Sequence, residues 1–133
     1  MKRLFRPFCA AFSVTSASGL VNRRGGPHLG AMTPENVIPT YEKVGATWAR
    51  DRSARLMEKR WLDRMMNLAP RNAGAVRVLD LGCGSGRPIA SYLAERGAVV
   101  TGVDATETLS TLFASVVPNA ESIRADMRGL SLN

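Results

Sequence analysis

Between residues 76 and 125, short β-branched runs alternate with apolar stripes at helical spacing. Val76, Val78, Leu79 and Leu81 form a run with the composition of a strand buried on both faces. Pro88, Ile89, Leu93 and Ala94 then read as a helix, with Pro88 in its first turn and Gly97 ending it. Val99, Val100 and Val103 make a second strand that finishes at Asp104. From Leu109 the apolar positions fall at 109, 112, 113, 116 and 117, a helix capped by Thr106 and stopped by Pro118 and Asn119. A short third strand over 122–125 ends at Asp126. Strand and helix in alternation predict an α/β fold with a parallel, doubly wound sheet.

Upstream the period is helical. Thr33, Pro34 and Glu35 make an orderly helix start, and Thr40 can cap a helix carrying Tyr41, Val44 and Trp48. Ser53 can start a second, with Met57, Trp61 and Met65 on one stripe and Leu62 and Met66 beside it, expected to pack on the sheet. Residues 70–74 read as a linker into the first strand. Residues 1–31 have no period and are expected to be a disordered leader. The division is therefore a leader (1–31), a helical cap with its linker (32–74) and a ligand-binding half-domain (75–133).

Charge changes the picture little. The chain carries a net +7, but residues 1–31 hold five basic residues and no acid, leaving +2 on the remainder. A nearly neutral folded part offers no basic face for nucleic acid. The acid-free, Arg-rich leader resembles a transit peptide, or a signal peptide whose apolar stretch at 9–14 is too short; the reading preferred is a start codon placed upstream of a functional start at Met32. No apolar run approaches the roughly 18 residues of a membrane span. Cys9 and Cys83 are expected to be reduced thiols in a cytoplasmic protein, since a bridge would tie the leader across the glycine loop. His28 has no cysteine or acidic neighbour, so no metal site is expected.

The chemistry is concentrated at Gly82, Gly84 and Gly86, directly after the first strand. Such a loop turns sharply and lets a ligand lie against bare main chain. Asp80 decides which ligand. A carboxylate two residues before the first glycine repels a pyrophosphate but attracts a cation, and S-adenosylmethionine carries both a sulfonium and an ammonium. The G-x-G-x-G spacing also departs from the G-x-G-x-x-G of dinucleotide sites. Asp104 follows Gly82 by 22 residues, near the roughly 20-residue offset of a carboxylate that accepts from ribose hydroxyls. The alternative is that Asp104 only caps the next helix. Cys83 has no histidine nearby to activate it and is expected to be a small interior side chain rather than a nucleophile.

In VLDLGCGSG, GVDAT and ADMRGL, taken in that order, the chain resembles the class I S-adenosylmethionine-dependent methyltransferases of small-molecule type, over roughly residues 40–133. The resemblance implies that Asp80, Gly82 and Gly84 line the methionine end, that Asp104 holds the ribose hydroxyls, and that Asp126 accepts from the adenine amino group beside the Met127 backbone. It also implies that the helices before the first motif cover the cofactor, which would bring Tyr41, Trp48 or Arg52 near it. The family's sheet has seven strands, whereas three are recognisable before Asn133. The expectation is a truncated copy, limited to the cofactor half of a Rossmann-like fold, with an open edge along its first strand through which chains could self-associate. No catalytic residue is assigned. Three functions follow: a methyltransferase acting on a small molecule, a non-catalytic module that binds S-adenosylmethionine, or a fragment of a nicotinamide-dependent oxidoreductase.

Overall fold

The two β-branched runs and the short third strand lie side by side as parallel strands in a computed structural model that describes residues 10–12 and 33–131. In chain order the elements are β1 (Ala10–Phe12), α1 (Val37–Asp51), α2 (Lys59–Leu68), β2 (Arg71–Asn72), β3 (Ala75–Leu81), α3 (Ile89–Glu95), β4 (Val99–Asp104), α4 (Glu107–Val116) and β5 (Glu121–Arg124), followed by a 3₁₀ turn, Met127–Gly129. The sheet order is β1-β3-β4-β5, with β2 antiparallel to β3. Asp80 pairs in register with Gly102, and Asp104 with Arg124, so successive strand ends are aligned.

The core forms where α2, α3 and α4 cover the sheet. Leu62, Met66, Val76, Val78, Ala90, Leu93, Val100, Phe113 and Val117 make one buried cluster. Phe113 is fully buried, which by itself stabilises the fold by about 1.5–3 kcal/mol. Its ring needs a bare backbone opposite. A Cβ on Gly102 would lie 2.4 Å from Phe113 Cζ, so that glycine sets how closely α4 approaches β4. Helix α3 ends as expected at Gly97, whose φ of +81° admits the closing bonds from Gly97 N to Ala94 O and from Ala98 N to Leu93 O. Thr106 caps α4 by accepting from Leu109 N. On the other side α1 packs on α4 through Gly45 and Leu109, and the Glu42 carboxylate accepts from Glu107 N at 3.0 Å.

Several sequence expectations are corrected. Thr40 lies inside α1 rather than at its cap, because a turn from Thr33 starts the helix at Val37 and Pro39 falls in the first turn, where no N–H is needed. Ser53 does not begin α2, which starts at Lys59 after a turn at Met57. The buried face of α2 is Leu62 and Met66, while Met57 and Trp61 are 81% and 51% exposed. Trp61 faces outward beneath Arg60, whose guanidinium carbon is 4.6 Å from the ring centroid. The supposed linker holds a tight hairpin: Arg71 and Asn72 pair with Val76 and Ala75 across Ala73 and Gly74, both at positive φ. Pro88 precedes α3 by one residue, and the third strand runs from 121 rather than 122.

The leader is the largest difference. Ala10–Phe12, within the segment expected to lack structure, pairs in parallel with Val78, Leu79 and Asp80. The edge of β3 expected to stand open is therefore paired at those three positions. Cys9, His28 and the Met32 start lie outside the described residues. Among the described residues no helix is long and apolar enough to cross a membrane.

Candidate functional site

The loop after β3 is built by hydrogen bonds to the end of β4. Gly82 N and Cys83 N both donate to Val103 O, at 2.8 and 3.1 Å, and Gly86 N donates back to Cys83 O at 3.0 Å. Gly84 N donates to Asp104 Oδ2 at 3.0 Å. Gly82, Gly84 and Gly86 all have positive φ, which the turn requires and L side chains resist. The donors that a diphosphate would need are thus mostly spent inside the protein. A phosphate cradle depends on free N–H groups, so this loop is a poor one.

The three predicted acids sit at successive strand ends but in different states. Asp80 is half-buried, and among the described residues nothing donates a hydrogen bond to its carboxylate. Burial pushes its pKa up to about 6, Arg52 pulls it down, and the Asp104 charge adds to the rise. Asp104 is engaged at both oxygens: Oδ1 accepts from Thr106 N and Oγ1, and Oδ2 holds the loop through Gly84 N alone. It both anchors Gly84 and steadies the start of α4, while Thr106 is the cap. Asp126 lies past β5, where Arg128 grips both carboxylate oxygens and lowers its pKa to about 2. The same guanidinium donates to Pro34 O at 2.7 Å, tying this turn to the entry of α1. Met127 reaches the loop: its Cε would be 3.1 Å from a Cβ on Gly82. Burial, with the charges of Asp80 and Asp104, raises the Cys83 thiol well above its usual range. That supports the structural reading of Cys83, since the thiolate is the nucleophile.

Helix α1 provides the roof. Trp48 lies on the loop, with Cζ3 3.2 Å from a Cβ built on Gly84, and Tyr41 meets it edge-on at 5.7 Å between centroids. Arg52, at the end of the helix, stacks on the same indole at 4.9 Å. A cavity of about 60 Å³ opens between Arg52, Asp80, Gly82, Cys83 and Arg87. Sequence spacing put Tyr41 and Trp48 on one helix, but the contact with the loop depends on Gly45, whose missing side chain lets α1 settle against Leu109. The Arg128 grip on Asp126 was not foreseen, although two residues of spacing could have suggested it. Among the described residues no group of three His, Cys, Asp or Glu side chains could hold a metal ion.

Comparison with known proteins bears on the family and the fold. A family profile described as "Methyltransferase domain" matches residues 51–124, more than half of the chain, from the end of α1 through β5. A protein of Geobacillus sp. (strain WCH70) named as a methyltransferase is 41% identical over 37% of this chain and 26% of its own length. The crystal structure of a TehB-like SAM-dependent methyltransferase from Corynebacterium glutamicum is similar with a TM-score of 0.54 and 27% identity, over 71% of this chain and 50% of that one. The chain thus spans about a quarter of the curated relative and half of the solved one.

Proposed function

The chain belongs to the methyltransferase-domain family, and from that premise we propose that it binds S-adenosylmethionine over the glycine loop and serves methyl transfer to a small-molecule acceptor. One observation carries the reading: a carboxylate, Asp80, that accepts no hydrogen bond among the described residues stands at the mouth of a loop whose N–H groups at 82, 83, 84 and 86 are already satisfied. Such a site suits a positive guest and leaves little for a diphosphate.

The residues present fit this cofactor by their chemistry. Asp80 would take the ammonium, and Asp104 would accept from the ribose hydroxyls through the lone pair on Oδ2 that Gly84 leaves open. Asp126 would accept from the adenine amino group next to Met127. The cavity of about 60 Å³ holds an ammonium-sized group, so the side chains of Trp48 and Met127 must yield to the rest. Bound there, the cofactor supplies a methyl carbon made electrophilic by the sulfonium. The protein's part is placement, since transfer to a good nucleophile depends above all on in-line approach. No residue is assigned as a base.

Titration calorimetry of the chain with S-adenosylmethionine and with NAD tests the proposal. Binding of the first without the second supports it, and NAD binding with no S-adenosylmethionine signal removes it in favour of an oxidoreductase fragment. A module that binds without turnover would give the same calorimetry and differ in releasing no demethylated product with any nucleophile.

A further inference from the structure

Helix α2 carries apolar side chains on two faces, and the sheet covers one of them. Leu62 and Met66 are buried, whereas Trp61 and Leu68, two turns apart on the outer side, are 51% and 73% exposed, with Met57 just before the helix at 81%. Arg64 falls between Trp61 and Leu68 on the same side, Arg60 lies next to it, and both are exposed. Neither guanidinium has an acidic partner among the described residues. The acids of this segment are taken up elsewhere: Asp63 accepts from Lys59 and Tyr92 and pairs with Arg96, and Glu58 is half-buried at the N-cap. Three large apolar side chains and two unpaired cations thus share one convex face.

The composition of that face narrows its occupant. A second copy docked through it would set Arg60 and Arg64 against themselves across a two-fold axis. A nucleic acid would meet the cations, yet Met57 and Leu68 offer it nothing, and Arg60 already lies over the Trp61 ring at 4.6 Å from its centroid. A bilayer with anionic headgroups uses both halves of the face. The apolar side chains enter the interface while the guanidiniums stay among the phosphates, and a ring with its cation stacked on it suits that boundary. A convex helix face also fits a plane better than it fits a peptide, which needs a groove or a sheet edge.

We propose that the outer face of α2, Met57, Trp61 and Leu68 with Arg60 and Arg64, docks this protein on anionic membrane surfaces. Such docking needs no spanning helix, and it is independent of which cofactor the glycine loop takes.

Flotation of the full chain with phosphatidylcholine vesicles, with and without phosphatidylglycerol, tests the proposal. The doubly substituted Arg60→Gln, Arg64→Gln chain, Trp61→Ser and Trp61→Phe are compared with the unmodified chain, with far-ultraviolet circular dichroism as the check of folding. The unmodified chain is expected to partition onto anionic vesicles about tenfold or more over neutral ones, and less as salt rises. Loss of the two arginines lowers that partition by about tenfold and Trp61→Ser by about fivefold. The emission that Trp61→Phe removes shifts to the blue when anionic vesicles are added. Residues 1–31 are basic and free of acid, so binding that survives unchanged in the arginine and Trp61→Ser variants overturns the proposal in favour of the leader. Equal partition onto neutral vesicles, or none onto either, overturns it with no variant needed. So does a Trp61 emission already shifted to the blue without vesicles, since a second copy or another protein surface then covers the face. Retention of a labelled single-stranded oligonucleotide that the same variants abolish, without vesicle binding, overturns it in favour of nucleic acid.

Discussion

Asp104 holds the glycine loop through Gly84: the Gly84 N–H donates to Oδ2 at 3.0 Å, while Oδ1 accepts twice from Thr106. A residue expected to serve the ligand therefore also serves the fold. Asp104→Ala should lower the stability of the chain by about 1.5–3 kcal/mol, the range for losing hydrogen bonds to a charged group, as read from urea unfolding. It should also weaken S-adenosylmethionine binding by a similar amount, about 1–3 kcal/mol. A lower unfolding midpoint with an unchanged dissociation constant would make Asp104 a loop anchor alone.

Asp80 sets a pH dependence of the opposite sign to most carboxylates. Its pKa rises from 3.8 to about 6 on folding because burial disfavours the charge. The folded state holds that proton more tightly than the unfolded one, so the contribution is full below pH 4 and is lost as pH climbs through 6. The loss is on the order of 3 kcal/mol for about two units. Asp126 behaves conversely, its pKa lowered to about 2 by Arg128, with stability lost only as pH falls below 4. Asp80→Asn should therefore be more stable than the unmodified chain at pH 7 and lose that advantage by pH 4. Equal urea midpoints for the two proteins at pH 7 would contradict the buried charge.

Gly102 sets the distance between α4 and the sheet. A methyl group there would be 2.4 Å from Phe113 Cζ and 2.9 Å from Cys83 Sγ. Gly102→Ala should destabilise the chain by about 1–3 kcal/mol through forced repacking, and thermal unfolding reads it directly. A melting temperature within a degree of the unmodified chain would mean that the ring can step aside at no cost.

How far the sequence revealed all this depended on how local each cause was. The strands and helices from Val76 to Arg124 were legible because one short stretch carries each signal: a β-branched run, a helical stripe, a capping Thr106, a terminating Gly97. The places of the three acids, near the end of a strand or just past one, were legible for the same reason. Contacts between distant elements were not. Nothing near Gly45 or Gly102 tells that Leu109 or Phe113 needs the space. The two apolar stripes of α2 are adjacent on the helix, and only the position of the sheet buries Leu62 and Met66 in preference to Trp61. Ala10–Phe12 is apolar but too short and isolated to signal a strand, and its partner lies more than sixty residues on.

The hairpin before β3 shows a local rule that the sequence breaks. Ala73 adopts φ of +50° next to Gly74 at +87°, a pair of positive values that favours Asn followed by Gly. A side chain in that region costs about 1–2 kcal/mol, and asparagine suffers least. Ala73→Asn should stabilise the chain by about 0.5–1 kcal/mol, a rise of a few degrees in melting temperature. A fall instead would show that the turn is not held in this conformation in solution.

The central claim concerns charge at the loop: Asp80 favours a positive guest. Calorimetry of S-adenosylmethionine binding at pH 6, repeated in two buffers of different ionisation enthalpy, counts the protons exchanged. With Asp80 half-protonated before binding, a cation beside it should release about half a proton per ligand, and Asp80→Asn should release none. Proton uptake on binding, or a release that survives in Asp80→Asn, would contradict the account.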